Sequence, residues 1–271
     1  TPPSAYQQSP LFKDSLAGKK SFKIDGMVPG KMFEGMIHPL IPYTIKGLLW
    51  YQGESNLMIH DTTTFVAKTK LMLNTWKNMW QDQDMSFYYV QIAPHHYTKR
   101  QKDNFKLGAD LLPRFWVAQA QCLDIPKSGM VVTTDLVDNL GDIHPGYKWE
   151  VGRRLALWAL ANDYGQKKLE CSGPLYQKMK VKKNTIELSF THAKSGLISS
   201  DGNALTWFSV AGADQKFYPA KAIIKGKKVI VSAENVPNPV AVRFAWDETA
   251  MPNLVNGAKL PASPFRTDCW K

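Results

Sequence analysis

Cysteine is scarce in this chain. Cys122, Cys171 and Cys269 are the only three in 271 residues. Widely spaced and odd in number, they supply neither a disulfide framework nor a CxxC metal site, although one bridge remains open to them. Long apolar runs are also lacking. No stretch reaches the roughly 18–20 residues a membrane-spanning helix needs, and the first 30 residues are polar, with proline and lysine rather than a signal-like apolar segment. The chain therefore reads as soluble. Internal repeats and low-complexity tracts are missing too, which excludes solenoids and fibrous arrays. The histidines His38, His60, His95, His96 and His192 include no HExxH pair, so no metal site is expected. The His95-His96 pair follows a strand end and reads as loop surface, with a substrate pocket as the other reading.

Acidic residues are the minority: 34 Lys+Arg against 23 Asp+Glu give a net charge of +11. Such an excess suits acidic glycans, nucleic acid or anionic membranes. The lysines are scattered, however, and the clusters at 178–183 and 225–228 flank alternating runs, as the solvated edges of a sheet do. No RNA-binding or zinc-finger pattern accompanies the charge, so neither nucleic acid nor membrane is expected as a partner.

What is present is 44% hydrophobic residues, enough to bury a sizeable core. From about Ile45 to Gly165, strand-length apolar runs alternate with helical periodicity, the pattern of βα units around a parallel sheet. Lys46–Gln52, Ser86–Ile92 and Gly129–Thr134 read as strands. Helices are expected after Asp61-Thr62-Thr63-Thr64, which can cap a face carrying Phe65, Met72, Trp76 and Met79, then over Phe105–Leu123, and from Pro145 to Gly165. Three strands are few for an open doubly wound sheet, which implies a further N-terminal piece. After Ser172-Gly173-Pro174 the texture turns to short alternating runs, Thr185–Phe190, Ala204–Val210, Ala220–Ile224, Lys227–Ser232 and Val240–Trp246. Lys225-Gly226-Lys227 reads as a hairpin turn. The expectation is a partial α/β domain over 1–171 followed by a β-rich domain over 172–271.

Two polar blocks follow predicted strands, where open α/β sheets place their ligands. The first is Trp50-Tyr51-Gln52-Gly53-Glu54-Ser55-Asn56. Gly53 allows close backbone approach, and the Gln52 and Asn56 amides can donate to a developing oxyanion. A plain strand-to-helix turn, with Asn56 as a local cap, explains the same residues. The second runs from Asp135 to Pro145 and offers Asp142 and His144. Imidazole can take a proton from a hydroxyl nucleophile and return it to a leaving alkoxide, and a nearby carboxylate fixes its tautomer. The structural alternative has Asp142 capping the next helix, with His144 packed beside it. Ser55 begins a G-x-S-x-G-like elbow, but Leu57 stands where the second glycine should be.

These blocks carry a resemblance. Gly35-Met36-Ile37-His38-Pro39-Leu40, Ile45–Asn56, Asp142-Ile143-His144-Pro145, Glu150–Leu160, Ser172–Tyr176, Val236–Arg243 and Leu260–Asp268 look like consecutive blocks of the sialate O-acetylesterase family, from about Phe33 to the C-terminus. The resemblance implies an SGNH-like α/β fold, no cofactor or metal, a secreted or periplasmic setting, and a serine nucleophile working with a histidine to remove acetyl groups from sugars. It makes His144 the general base and Asp142 its partner. Gln52, Gly53, Glu54, Ser55 and Asn56 then line the oxyanion or substrate side. The family's early Gly-Gln-Ser-Asn-Met-like nucleophile block has no counterpart here, because Gln8-Ser9 is followed by Pro10. The nucleophile is therefore expected on an N-terminal fragment or second chain, with an acetylated sugar as substrate. The alternative is a non-catalytic glycan-binding or structural fragment. A polyanion binder driven by charge alone ranks last.

Overall fold

The computed structural model describes residues 1–12, 32–100 and 107–270. Three strands, β1 (Gly47–Trp50), β2 (Ser86–Val90) and β3 (Ser128–Val131), form a parallel sheet in that order. β2 is buried along its whole length, as a central strand covered on both faces must be, and its sequence SFYYV lacks polar alternation for that reason. On one face lie α3 (Phe65–Met79) and α4 (Leu111–Gln121), whose Leu73, Phe115 and Trp116 join Phe87 and Tyr89 in the core. On the other lies α5 (Lys148–Asn162), packing Val151, Leu155 and Trp158 on Tyr88, Val90 and Val131. Helices on both faces of a parallel sheet are the doubly wound arrangement the periodicity implies. α5 sits close because of Gly129, where a Cβ would stand 2.4 Å from the Trp158 ring.

Some expected boundaries move. α4 starts at Leu111, and Phe105 and Lys106 lie outside the described residues. α5 starts at Lys148 instead of Pro145, because residues 145–147 turn the chain, with the Lys148 amide on the Gly146 carbonyl and its ammonium on the Pro145 carbonyl. Asp61 does not cap α3; its carboxylate takes side-chain donors instead. Two short helices, α1 (Pro3–Gln8) and α2 (Glu54–Met58), fall where the periodicity is too brief to read.

Beyond residue 172 the chain is antiparallel. β4 (Leu175–Lys182), β5 (Thr185–Thr191), β9 (Lys221–Lys225) and β10 (Lys228–Ser232) form a sheet in the order β4-β5-β10-β9. The 178–183 lysines sit mainly on its outer strand β4, and Lys225-Gly226-Lys227 makes the β9–β10 hairpin, as expected. A second sheet joins β7 (Phe208–Ala211), β8 (Phe217–Pro219), β11 (Ala241–Phe244) and β13 (Phe265–Arg266). β6 (Leu197–Ser199) pairs with β12 (Leu254–Asn256). One apolar core runs from Leu57 and Phe115 in the α/β part to Val242 and Phe265 in the β part. No helix among the described residues is long and apolar enough to cross a membrane.

Candidate active site

Both polar blocks lie at the carboxyl ends of the parallel strands. Lys148, in the first turn of α5, places its ammonium 5.0 Å from the Tyr51 ring centroid, so the turn after β1 and the segment leading from His144 into α5 meet at one end of the sheet.

The first block is an internally bonded turn. Gln52 Nε2 donates to Asn56 Oδ1 at 3.0 Å, and Asn56 Nδ2 donates to Asp61 Oδ2 at 2.9 Å. The Gly53 amide donates to Glu54 Oε2 at 3.0 Å, so a carboxylate already holds the hydrogen bond that an oxyanion would take from this amide. Gly53 is buried against α4: a Cβ there would stand 2.9 Å from Phe115 Cε1 and 3.0 Å from Ile92 Cγ2. Ser55 is exposed at the start of α2. Burial and the Glu54 charge push the Tyr51 phenol up to about 12, which leaves it a neutral O–H donor near pH 7.

Asp61 anchors this turn from below. Burial alone would raise its carboxyl, but hydrogen bonds from Lys68 (2.7 Å), Thr64 and Asn56, with the Lys68 charge, hold it below the usual range. Its folded-state pKa thus lies under the unfolded value near 3.9. The stabilisation it contributes is complete above about pH 4 and is lost as pH falls through the folded value. Asp61→Asn is expected to cost about 1–3 kcal/mol at pH 6 and to flatten the acid limb of stability below pH 4. Urea unfolding at pH 6, 4 and 3 checks this; an undiminished acid limb in the variant would refute it.

The second block holds the Asp142–His144 pair. Asp142 Oδ1 accepts the His144 backbone N–H at 2.9 Å and lies 3.4 Å from His144 Nδ1, so it faces the imidazole and caps no helix. That backbone bond, chiefly, holds the Asp142 carboxyl below its ordinary value. Both side chains are open to solvent, His144 at 82% and Asp142 at 57% exposure. Ile143 between them packs on the main core.

Two residues outside the expected set, Arg154 and Glu248, position the second block. Arg154, buried in α5, donates to the Val132 carbonyl (2.7 Å), to both Asp135 oxygens (2.7 and 2.6 Å) and to Glu150 (2.8 Å), tying the start of α5 to the segment leaving β3. The signal was present in sequence as Glu150 and Arg154 four apart on the otherwise apolar face of Val151, Leu155 and Trp158. Glu248, 3% exposed, reaches in from the β part: its carboxylate takes the Thr98 amide at 2.9 Å and the Thr98 hydroxyl, and its carbonyl takes the His95 amide at 3.0 Å. The His96 amide then donates to the Leu140 carbonyl, bracing the loop that carries Asp142 and His144. His95 is consequently buried, at 2% exposure with its ring edge-on to Tyr97, and is not the loop surface its position suggested. No sequence signal pairs Glu248 with a loop 150 residues earlier. Among the described residues no three His, Cys, Asp or Glu side chains gather as a metal site, and all three cysteines are free thiols.

A doubly wound parallel sheet, with an Asp–His pair and an amide-rich turn beyond its strand ends, is an SGNH-like α/β scaffold. Residues 26–160 match the family model described as carbohydrate esterase, sialic acid-specific acetylesterase. Residues 26–160 thus carry the sialate O-acetylesterase-family match. The chain is similar to sialate O-acetylesterase of Homo sapiens, 26% identical with 96% of this chain and 51% of the relative covered, and to that of Pongo abelii, 28% identical with 93% and 50% covered. A crystal structure of a carbohydrate acetylesterase from Xanthomonas citri superposes with a TM-score of 0.79 at 36% identity, over 87% of this chain and 53% of that one. The chain thus spans about half the length of the relatives it matches.

Proposed function

We propose that this chain supplies the histidine-bearing side of a serine-type O-acetylesterase acting on sialic acid or other acetylated glycans, with the nucleophilic serine on a segment outside these 271 residues. The observation that carries the reading is the Asp142–His144 pair beyond the strand ends, beside the amide-rich turn. In this reading residues 1–171 carry the chemistry and residues 172–271 brace it through Glu248.

The serine oxygen attacks the acetyl carbonyl while His144 takes the hydroxyl proton, and Asp142 stabilises the imidazolium. The new C–O bond makes a tetrahedral oxyanion, to which the Gly53 amide and the Gln52 and Asn56 side chains donate. For Gly53 this requires the Glu54 carboxylate to swing aside. Collapse breaks the bond to the sugar oxygen, which receives the proton from His144. Water, activated by the same imidazole, then releases acetate from the acyl-serine.

Two features favour a split site. Among the described residues β1 is an outer strand, with Leu49 64% exposed. His144 is also more open to solvent than an efficient general base, because preorganised catalysis depends on excluding water. The test is acetate release from an O-acetylated sialoside. The chain alone should give none, and the chain combined with the N-terminal half of a family member should give turnover. Turnover by the chain alone, abolished by Ser55→Ala, would place the nucleophile at Ser55 and overturn the proposal.

A further inference from the structure

A cleft of about 900 Å³ opens where the carboxyl end of α5 meets the loop after β5, lined by Asn162, Lys167, Lys168, Glu170, His192 and Lys194 among others. It lies at the far end of α5 from His144, roughly 20 Å along a helix of this length. Neither the oxyanion-side turn nor the Asp142–His144 pair touches it.

The cleft is built rather than incidental. Glu170 Oε1 lies 2.8 Å from His192 Nδ1, and the imidazole stands edge-on to the buried Trp158 ring. His192 has a left-handed backbone, φ 52°, a conformation held from behind. Its carbonyl accepts Asn256 Nδ2 at 2.9 Å, and the same fully buried amide donates to the Ser172 carbonyl at 2.8 Å. One side chain thus ties together the two chain segments that form the walls. With Glu170 on Nδ1, the imidazole keeps Nε2 for a second partner.

The lining points to a ligand class. Three lysines face one carboxylate, and that carboxylate is engaged by His192, so the cleft favours an anion. Arginine is absent from the lining, so the anion meets separate lysine point charges rather than a planar fork. Asn162, Thr191, Ser195 and His192 offer the mixed donors and acceptors that sugar hydroxyls require. The volume falls in the range of small-molecule sites. The thiol of Cys171, pushed up by burial, is a poor nucleophile here.

We propose that this cleft binds an acidic saccharide unit through its carboxylate, remote from the hydrolytic face. The proposal stands whether or not the chain takes part in ester hydrolysis. Calorimetric titration of the 271-residue chain at low salt with N-acetylneuraminic acid and trigalacturonic acid is expected to show saturable binding. Cellotriose and sodium sulfate should show none. Affinity should fall at least tenfold in a Lys168→Glu/Lys194→Glu variant and in His192→Ala, with melting temperatures preserved, and should not change in His144→Ala or Gln52→Ala. Loss in the last two variants would move the binding to the hydrolytic face. Equal response to sulfate would reduce the effect to general charge, and retention in the lysine variant would place the binding outside this cleft; either result overturns the proposal.

Discussion

On the proposed split-site reading, His144→Ala in the assembly completed by the nucleophile-bearing segment is expected to lower kcat for acetate release by about a thousandfold, equivalent to about 4 kcal/mol of transition-state stabilisation. The loss arises because an alcohol cannot attack an ester efficiently while it keeps its proton, and no other imidazole is placed to take it. His95 is buried against Tyr97, and the His96 ring turns to Glu248, 3.9 Å away. KM should change little, since the imidazole acts on the developing charge more than on the bound ground state. Asp142→Asn should cost less, because the backbone N–H of His144 keeps part of the loop geometry. Steady-state kinetics on a chromogenic acetyl ester and on an acetylated sialoside would measure both. Full activity in His144→Ala would remove this residue from the role of base and leave the family resemblance without its chemistry here.

Arg154→Ala is expected to destabilise the protein by about 3–5 kcal/mol, the usual cost of removing one partner from a buried ionic network. Truncation strands Asp135, Glu150 and the Val132 carbonyl, all of which Arg154 now satisfies. Arg153 still pairs with Glu150 in a bidentate bond from the helix surface, so Asp135 is the group left most exposed to the loss. Arg154→Lys should recover only a minor share, because an ammonium cannot reproduce the fork that meets both Asp135 oxygens. Urea unfolding would show the loss as a lower midpoint at unchanged slope, with a fall in melting temperature of about 10 °C. A loss under 1 kcal/mol would mean that water replaces the guanidinium. The same variant should also blunt turnover, since the segment Arg154 anchors leads directly to Asp142 and His144.

The parallel sheet was legible because its strands are apolar runs of strand length flanked by helix-period patterns: β2 and the faces of α3 and α5 lie where those patterns put them. The β9–β10 hairpin was legible from a glycine between two alternating runs. Two-residue and three-residue strands such as β6, β12 and β13 were not, since they owe their pairing to distant partners and carry too few residues for a period. At the site, residue type and strand-end position selected both polar blocks, and the short Asp142–His144 spacing made their pairing readable. Long-range tertiary bonds were invisible. Glu248 and the loop it holds meet only through the fold, and the Glu54 contact to Gly53 is a matter of rotamer.

Among the described residues β1 has an open side, and that has a mechanical meaning. A backbone ladder is a ruler with a pitch of about 3.3 Å per residue, and its pleat sends alternate side chains to opposite faces. A strand laid along β1 can thus sit correctly in only one phase. A slip of one residue would turn its side chains over and move its end by more than three times the roughly 1 Å displacement that already costs a hundredfold in rate. The edge would then do more than hold a neighbour: hydrogen-bond register along Gly47–Trp50 would set the distance at which any group carried by that neighbour meets His144.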